Sequence, residues 1–203
     1  MNQEITEREY NLIEKCDFIG CRGAQGGAMY INSDKNCLFI KIFDSNFEEN
    51  MAVSVDSSGG ALYLEQTVAT IQNCSFVNNV ASSGCDIHFE IADTNNVRYT
   101  ETIENCYFSN NFDNESLKSM ISILFTNEVD VAFNDNKIVA TGYPSGFHVF
   151  QTLSPFSNKY GDLSISNNFI TPYEKDVVAN KHAEAISEDF EKRFNQLEIN
   201  ESP

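Results

Sequence analysis

The chain has 203 residues, enough for one domain with its own core or for one domain with an appendage. Its formal net charge of −17 argues against nucleic acid, anionic membranes and anionic polysaccharides as partners. No apolar run approaches the ~20 residues of a membrane-spanning helix, and MNQEITEREY at the start lacks the apolar stretch of a signal peptide.

In chain order, residues 1–9 are predicted to be an N-terminal edge or the remnant of an upstream coil. A repeat begins near residue 10, and its phrase IQNCSFVNN at 71–79 returns as IENCYFSNN at 103–111. Fainter copies keep the spacing, at steps of 29, 29, 32, 30 and 32 residues. Self-similarity of this length is typical of solenoids, in which each unit stacks on the next.

Three columns appear when the copies are aligned, and we predict that each column stacks inside the protein. The first column is wholly apolar and contains Ile13, Ile42, Ile71, Ile103, Phe133 and Ile165. The second is also apolar and contains Phe18, Phe47, Phe76, Phe108, Ile138 and Ile170. The third has small or amide-bearing side chains and contains Cys16, Ser45, Cys74, Cys106, Asn136 and Asn168.

Asn and Asp residues keep the same register and are predicted to turn the chain between short strands. One column directly precedes the small column and contains Lys15, Asp44, Asn73, Asn105, Asp135 and Asn167. A second column follows the Phe column and includes Asn50, Asn79 and Asn111. Asn and Asp tolerate left-handed backbone conformations and hydrogen-bond their own local chain, so they suit sharp bends.

A second phrase alternates with the first and begins with glycine. GGAMYI at 26–31 and GGALYL at 59–64 are close copies, and SGCDIHF at 83–89 and SGFHVF at 145–150 are looser ones. Each is typical of a glycine bend followed by an apolar β-strand. Each repeat unit therefore holds at least two short strands, and nothing in it has a helical period.

The predicted fold is all-β: a right-handed, single-stranded parallel β-helix of about six coils over residues 10–173. A leucine-rich repeat would need a regular Leu ladder with a helix, and propeller blades are longer. Strands ~4.8 Å apart would bring like residues of successive coils into contact and form one continuous core.

The glycine phrase and the Phe phrase together resemble a known repeat. Gly-Gly-Ala at 26–28 and 59–61 alternates with Phe-x-x-Asn at 47–50, 76–79 and 108–111. This alternation resembles the repeat of polymorphic outer membrane proteins over about 10–173, most strongly from 26 to 111. The resemblance implies a right-handed β-helix at a cell surface or secreted, often in an adhesin, and it implies no particular ligand.

Residues 174–203 break the repeat and are predicted to be an acidic helical tail. Its apolar residues are spaced by four, four and three positions, as on one face of a helix: Ile186, Phe190, Phe194 and Leu197. Such a helix would either cap the open end of the last coil or bind a partner.

No residue set predicts a cofactor, a metal site or a catalytic centre. The acidic segment DVAFNDN at 130–136 lacks the alternating ligands and the Gly of a calcium loop. His88 and His148 are interpreted as ordinary strand residues, since no second ligand holds a matched position. A carbohydrate-active enzyme is the alternative, and its paired carboxylates would come from Glu101, Glu104, Asp130 and Asp135.

The cysteines allow two interpretations. Cys74 and Cys106 share a column on adjacent coils, at a separation of ~4.8 Å that permits a disulfide. A stack of small, buried, free thiols is the favoured interpretation, because such side chains pack well in a core.

The favoured function is that of a non-enzymatic, cell-surface or adhesin-type segment that binds a protein or glycan partner. The loops at 92–99 and 153–162 are the longest connections, and variable loops on one side of a solenoid often form its contact face. They contain the aromatic candidates for contact, Tyr99, Phe156 and Tyr160. A purely structural solenoid fragment is the remaining alternative.

Overall fold

The computed structural model describes residues 10–33, 37–91, 99–111, 119–125, 129–141, 148–152 and 163–171. These residues contain β-strands and no helix, and together they form a parallel β-solenoid. In chain order the strands are β1 (Asn11–Glu14), β2 (Asp17–Ile19), β3 (Arg22–Gly23), β4 (Met29–Asn32), β5 (Leu38–Phe43), β6 (Asn46–Glu48), β7 (Met51–Ala52), β8 (Leu62–Glu65), β9 (Thr67–Gln72), β10 (Ser75–Val77), β11 (Ile87–Ile91), β12 (Tyr99–Glu104), β13 (Tyr107–Asn111), β14 (Ser119–Phe125), β15 (Val129–Asn134), β16 (Lys137–Thr141), β17 (His148–Thr152), β18 (Leu163–Ser166) and β19 (Phe169–Thr171).

Three parallel sheets form the walls of the solenoid. Sheet 1 stacks β1, β5, β9, β12, β15 and β18, and sheet 2 stacks β2, β6, β10, β13, β16 and β19. Sheet 3 stacks β4, β8, β11, β14 and β17, and β3 and β7 pair in a separate two-stranded sheet. Five coils contribute one strand to each wall, and the sixth contributes β18 to sheet 1 and β19 to sheet 2 among the described residues. The stacking of successive coils as parallel strands is that of a parallel β-helix. The right-handed sense of the winding stays a prediction.

The pairing registers confirm both predicted apolar columns. In sheet 1, each member of the column from Ile13 to Ile165 is the direct partner of the next member. In sheet 2, the same holds for the column from Phe18 to Ile170. Residues about thirty apart in sequence thus lie on top of one another.

Stacked phenylalanine rings form the centre of the core. Phe18, Phe47, Phe76 and Phe108 follow one another with ring centroids 5.0 Å apart and ring planes within 8° of parallel. The last three rings are fully buried. The 5.0 Å spacing is close to the ~4.8 Å that separates hydrogen-bonded strands, so ring stacking and strand pairing are satisfied by the same translation.

The corners follow the first predicted Asx column. All its members, from Lys15 to Asn167, have φ between 48° and 56°, in the left-handed region. In the second column the bend falls one residue earlier, at Gly20, Glu49 and Asn78.

Asn50 and Asn79 instead build a buried ladder. Asn79 Oδ1 accepts hydrogen bonds from the Asn50 backbone N–H at 3.1 Å and from its Nδ2 at 3.0 Å. Asn79 Nδ2 in turn donates to Phe47 O at 3.0 Å. Asn111 lies in β13, and the structure does not describe its side chain.

The Gly-Gly-Ala phrase is explained by backbone contact between coils. Its first glycine turns the chain, with φ of +57° at Gly26 and +66° at Gly59. Its second glycine leaves no room for a side chain, because a Cβ on Gly60 would lie 2.0 Å from Cys85 O. Ala61 is fully buried behind it. The phrase therefore marks the place where one coil lies directly on the next.

All six cysteines are free, which confirms the interpretation as unbridged thiols. Cys74 and Cys106 are buried, and each thiol donates to a backbone carbonyl, Cys74 Sγ to Gln72 O at 3.2 Å and Cys106 Sγ to Glu104 O at 3.3 Å. The neighbouring Cys74 thiol and burial raise the pKa of the Cys106 thiol, which therefore stays protonated. The predicted N-terminal edge at 1–9 and the predicted helical tail at 174–203, with its apolar stripe, lie outside the described residues.

Candidate binding surface

The outer face of sheet 3 carries a row of aromatic and acidic side chains. Strand side chains alternate between the two faces of a sheet, so in β8 Leu62 and Leu64 point inward while Tyr63 and Glu65 point outward. Parallel registers place the outward residues of β4 and β11 beside them. We call this surface the aromatic–acid face; it consists of Tyr30, Asn32, Tyr63, Glu65, His88 and Glu90.

The aromatic side chains of this face contact one another along the solenoid axis. The rings of Tyr30 and Tyr63 meet edge to face at 5.1 Å, and those of Tyr63 and His88 lie 4.5 Å apart. Tyr30 is 50% exposed, Tyr63 is half-buried and His88 is only 3% exposed. The face is therefore open to a partner at the first two coils and closed at the third.

The hydroxyl group of each tyrosine donates a hydrogen bond to a glutamate on the following coil. Tyr30 Oη donates to Glu65 Oε2, and Tyr63 Oη donates to Glu90 Oε2. Asn32 Nδ2 also donates to Glu65 Oε2, at 2.8 Å. The bond to Glu65 raises the pKa of Tyr30, whereas burial and then the bond to Glu90 raise that of Tyr63. Both phenols therefore stay protonated, which holds the rings and carboxylates in fixed positions.

The negative charge of the face is not neutralised on the sheet. Glu65 and Glu90 are direct partners on neighbouring strands, and the described strands of sheet 3 contain no Lys or Arg. His88 does not supply a neutralising positive charge near pH 7, because burial lowers its pKa to about 4. Its Nδ1 is hydrogen-bonded to Ser122, and its Nε2 lies 3.9 Å from Glu90 Oε2. A partner with hydrogen-bond donors or positive charge fits this surface.

Of the three predicted contact residues, the structure describes only Tyr99. Tyr99 begins β12 and is half-buried, with its ring 5.6 Å from that of Phe39 and packed against the core. Phe156 and Tyr160 lie outside the described residues, as does most of both predicted contact loops. Binding by these three aromatic residues stays a prediction.

The four carboxylates considered for catalysis do not all lie on one face. Glu101 points into the core and is fully buried, whereas Glu104 lies on the outer side, where Gln72 donates to it at 2.7 Å. Asp135 is exposed at a corner with φ of 56°. Alternation along β12 sends Glu101 and Glu104 to opposite sides of the sheet, and catalysis by any of these acids stays a prediction.

The aromatic–acid face was missed in the sequence, although a signal for it exists. The three glycine phrases continue as MYIN, LYLE and IHFE, so an aromatic or His residue and an acid or amide recur at the two outward positions. Aligning the second phrase as strictly as the first would have revealed both outward columns.

The chain matches no protein-family model, and it has no significant match among curated proteins or solved structures. In the part of the chain that the structure describes, no group of three or more His, Cys, Asp or Glu side chains converges to hold a metal ion. The same residues include no helix with the length and hydropathy needed to cross a bilayer.

Proposed function

We propose that this chain is a non-enzymatic β-helix repeat protein, a cell-surface or adhesin-type segment that binds a protein or glycan partner. The observation that carries the proposal is the aromatic–acid face, on which tyrosine rings and carboxylates lie in register on a stacked sheet whose described strands contain no Lys or Arg. Tyrosine is enriched where proteins contact their partners, since it offers a large area at little conformational cost.

The chemistry of the face restricts the partner. Glu65 and Glu90 accept hydrogen bonds, and Tyr30 presents a half-exposed ring. Amines, guanidinium groups and sugar hydroxyls can donate to carboxylates, and both cations and sugar rings pack on tyrosine faces. The net charge of −17 repels anionic partners. The partner is thus a basic protein segment or a glycan without acidic groups.

Paired carboxylates also favour one second candidate, a carbohydrate-active enzyme. Glu65 and Glu90 are direct partners on parallel strands, whose spacing of ~4.8 Å is close to the ~5 Å between the two carboxyl groups of retaining glycosidases. Each of these glutamates already accepts a tyrosine hydroxyl, which suits binding better than proton transfer to a substrate. The non-enzymatic function is therefore the one that we propose.

Arrays of neutral and amino-sugar glycans and of basic, neutral and acidic peptides test the proposal with the full chain. We expect binding to at least one basic or neutral probe, binding to no acidic probe, and a loss of about tenfold or more in affinity for Tyr30→Ala and for Glu65→Gln. Tyr10→Ala is the matched control, because Tyr10 is also 50% exposed but lies beside sheet 1.

Three outcomes would overturn the proposal. Binding to none of the probes would indicate a purely structural solenoid. Equal losses for Tyr10→Ala and Tyr30→Ala would place the contact elsewhere. Turnover of a neutral polysaccharide that is lost in both Glu65→Gln and Glu90→Gln would establish the enzyme instead.

A further inference from the structure

Two carboxylic acids lie inside the solenoid, away from the aromatic–acid face. Asp86, just before β11, is fully buried; its Oδ1 accepts from Asn79 Nδ2 at 2.9 Å and its Oδ2 from Asn110 Nδ2 at 2.6 Å. Glu101 in β12 is also fully buried, and its Oε2 accepts from the backbone N–H of Ala69 at 2.7 Å. Buried carboxyl groups normally pair with a cation, so their presence here needs a physical explanation.

No cation accompanies Asp86 among the described residues. Its neighbours on the coils above and below are uncharged: Leu62 N donates to Asp86 O at 2.9 Å, and Asp86 N donates to Met120 O at 3.0 Å. The titratable group beside it is the Cys85 thiol, whose pKa is raised by burial and by Asp86, so it stays neutral. Asn79 and Asn110 contribute amides only.

The surroundings of Asp86 offer its carboxyl group amides and no charge among the described residues. Complete burial raises the pKa of Asp86, and the hydrogen bonds from Asn79 and Asn110 lower it by less. Asn110 Oδ1 is buried beside the carboxyl group and has no hydrogen-bond partner. The two amides therefore do not compensate a negative charge on Asp86 as a buried cation would.

Glu101, in the next coil, is likewise a fully buried acid with no charged partner among the described residues. It points inward from β12, two residues before Ile103, and its register partner on the next coil is Val131. Ala69 provides the one hydrogen bond found for its carboxyl group, and its Oε1 is buried without a partner. The described groups that affect its ionisation are burial and the Ala69 N–H, and neither is a charge. An ionised Glu101 would therefore be an uncompensated charge among apolar side chains.

We propose that Asp86 and Glu101 form a proton-dependent latch, which holds the third and fourth coils most tightly in mildly acidic solution and weakens as the two carboxyl groups ionise. Asp86 connects the coils through its two asparagines, because Asn79 follows β10 of the third coil and Asn110 lies in β13 of the fourth. Glu101 acts across the same boundary, from β12 to Ala69 in β9.

The direction of the pH dependence follows from linkage. Burial raises the pKa of Asp86 to about 7, from about 3.9 in an unfolded chain. The folded protein therefore holds a proton that the unfolded chain releases, and this contribution to stability is lost as pH rises from about 4 through 7. Burial moves the pKa of Glu101 in the same direction. Each carboxyl group changes the folding equilibrium constant by about tenfold per pH unit within its window.

The contribution of His88 to stability has the opposite pH dependence. Its pKa falls to about 4 in the folded protein, from about 6.5 in an unfolded chain, so its contribution is present above pH 6.5 and is lost as pH falls toward 4. The Asp86 contribution is therefore measured as a difference between two proteins that both retain His88, so that its effect and that of the general surface charge cancel.

Urea unfolding of the full chain between pH 5 and pH 8 tests the latch. We expect the folding equilibrium constant of Asp86→Asn, relative to that of the wild type, to rise by about tenfold per pH unit between pH 5 and pH 7. Above pH 7 this ratio should change little. The folding equilibrium constant of Glu101→Gln, relative to that of the wild type, should also increase as pH rises. Asp135→Asn is the matched control, because Asp135 is an exposed acid, and its stability should parallel that of the wild type at every pH. An Asp86→Asn curve parallel to the wild type would overturn the proposal.

A second measurement needs no substitution. The carboxyl-carbon chemical shift of Asp86 in ¹³C-labelled wild-type protein reports its protonation directly. A titration midpoint near 7 in the folded protein is expected from its burial. A midpoint near 4 would overturn the latch even if Asp86→Asn failed to fold.

Discussion

The first coil, residues 10–33, and the two coils that follow it, residues 37–91, are built from the same phrases but differ in burial. Phe18 and Ile13 are half-buried, whereas their stacked partners Phe47 and Ile42 are fully buried. Outward positions differ as well: exposed Leu12 is the register partner of Lys41. Inward residues are thus equally apolar in both regions, and only the inner coils cover them completely.

The difference shows that a coil obtains its core from its neighbours. A ring such as Phe76 contacts stacked rings on both sides, at 5.0 Å in each direction, whereas Phe18 has one such contact among the described residues. A repeat unit cannot bury its apolar face alone, so its stability depends on the adjacent units. Substitutions of equivalent residues in the two regions should therefore have unequal effects.

Gly60→Ala should show the largest effect, a loss of about 5 kcal/mol or more in the free energy of unfolding, which would leave the chain mostly unfolded. The new Cβ would lie 2.0 Å from Cys85 O and 2.6 Å from Val80 N, and both atoms belong to the backbone of the adjacent coil. Circular dichroism and urea unfolding measure the loss.

Gly20→Ala is the matched control in the first coil. Nothing lies within 4 Å of its added Cβ, so the cost is only that of a left-handed alanine, about 1 kcal/mol. Comparable losses at the two glycines would show that close contact between coils does not explain the Gly-Gly-Ala phrase.

Phe76→Ala should show the next largest effect, a loss of about 4 kcal/mol in the free energy of unfolding. The substitution empties a fully buried position between two stacked rings. Phe18→Ala should cost about 1 to 2 kcal/mol, since the ring is half-buried and stacks on one side. Urea unfolding of both variants gives the ratio. Equal losses would mean that the first coil is as completely packed as the inner ones.

Lys15→Asn should have the smallest effect and should stabilise the first coil, by about 0.5 to 1 kcal/mol. Lys15 has φ of 54° at a corner where the inner coils have Asp44 and Asn73. Asn reaches this conformation more easily than Lys, and the salt bridge lost with Glu14 is exposed. A lower midpoint of thermal unfolding than in the wild type would contradict this expectation.

Parallel stacking was predictable because periodicity is a property of the sequence alone. The columns that begin at Ile13 and Phe18 are apolar in every copy, and their register in the sheets follows the alignment residue by residue. The corners of the first Asx column were predictable for the same reason, since Asn and Asp recur where the backbone turns left-handed. The second set of bends lies one residue before its predicted column, at Glu49 and Asn78.

The binding surface and the buried acids were not predictable in the same way. Tyr30 and Glu65 are 35 residues apart in sequence and form a hydrogen bond only because two coils are stacked. Glu101 reads in the sequence as one more solvated acid, yet strand alternation turns it inward.

The sequence by itself determined which residues repeat, and hence that short strands stack into a parallel solenoid around apolar columns. Only the tertiary structure decided which polar residues face solvent, which are buried, and which partners they meet. The physical reason is that a column is defined by like residues at a fixed spacing, whereas the surroundings of Asp86 or Glu65 depend on unlike residues brought together from different coils.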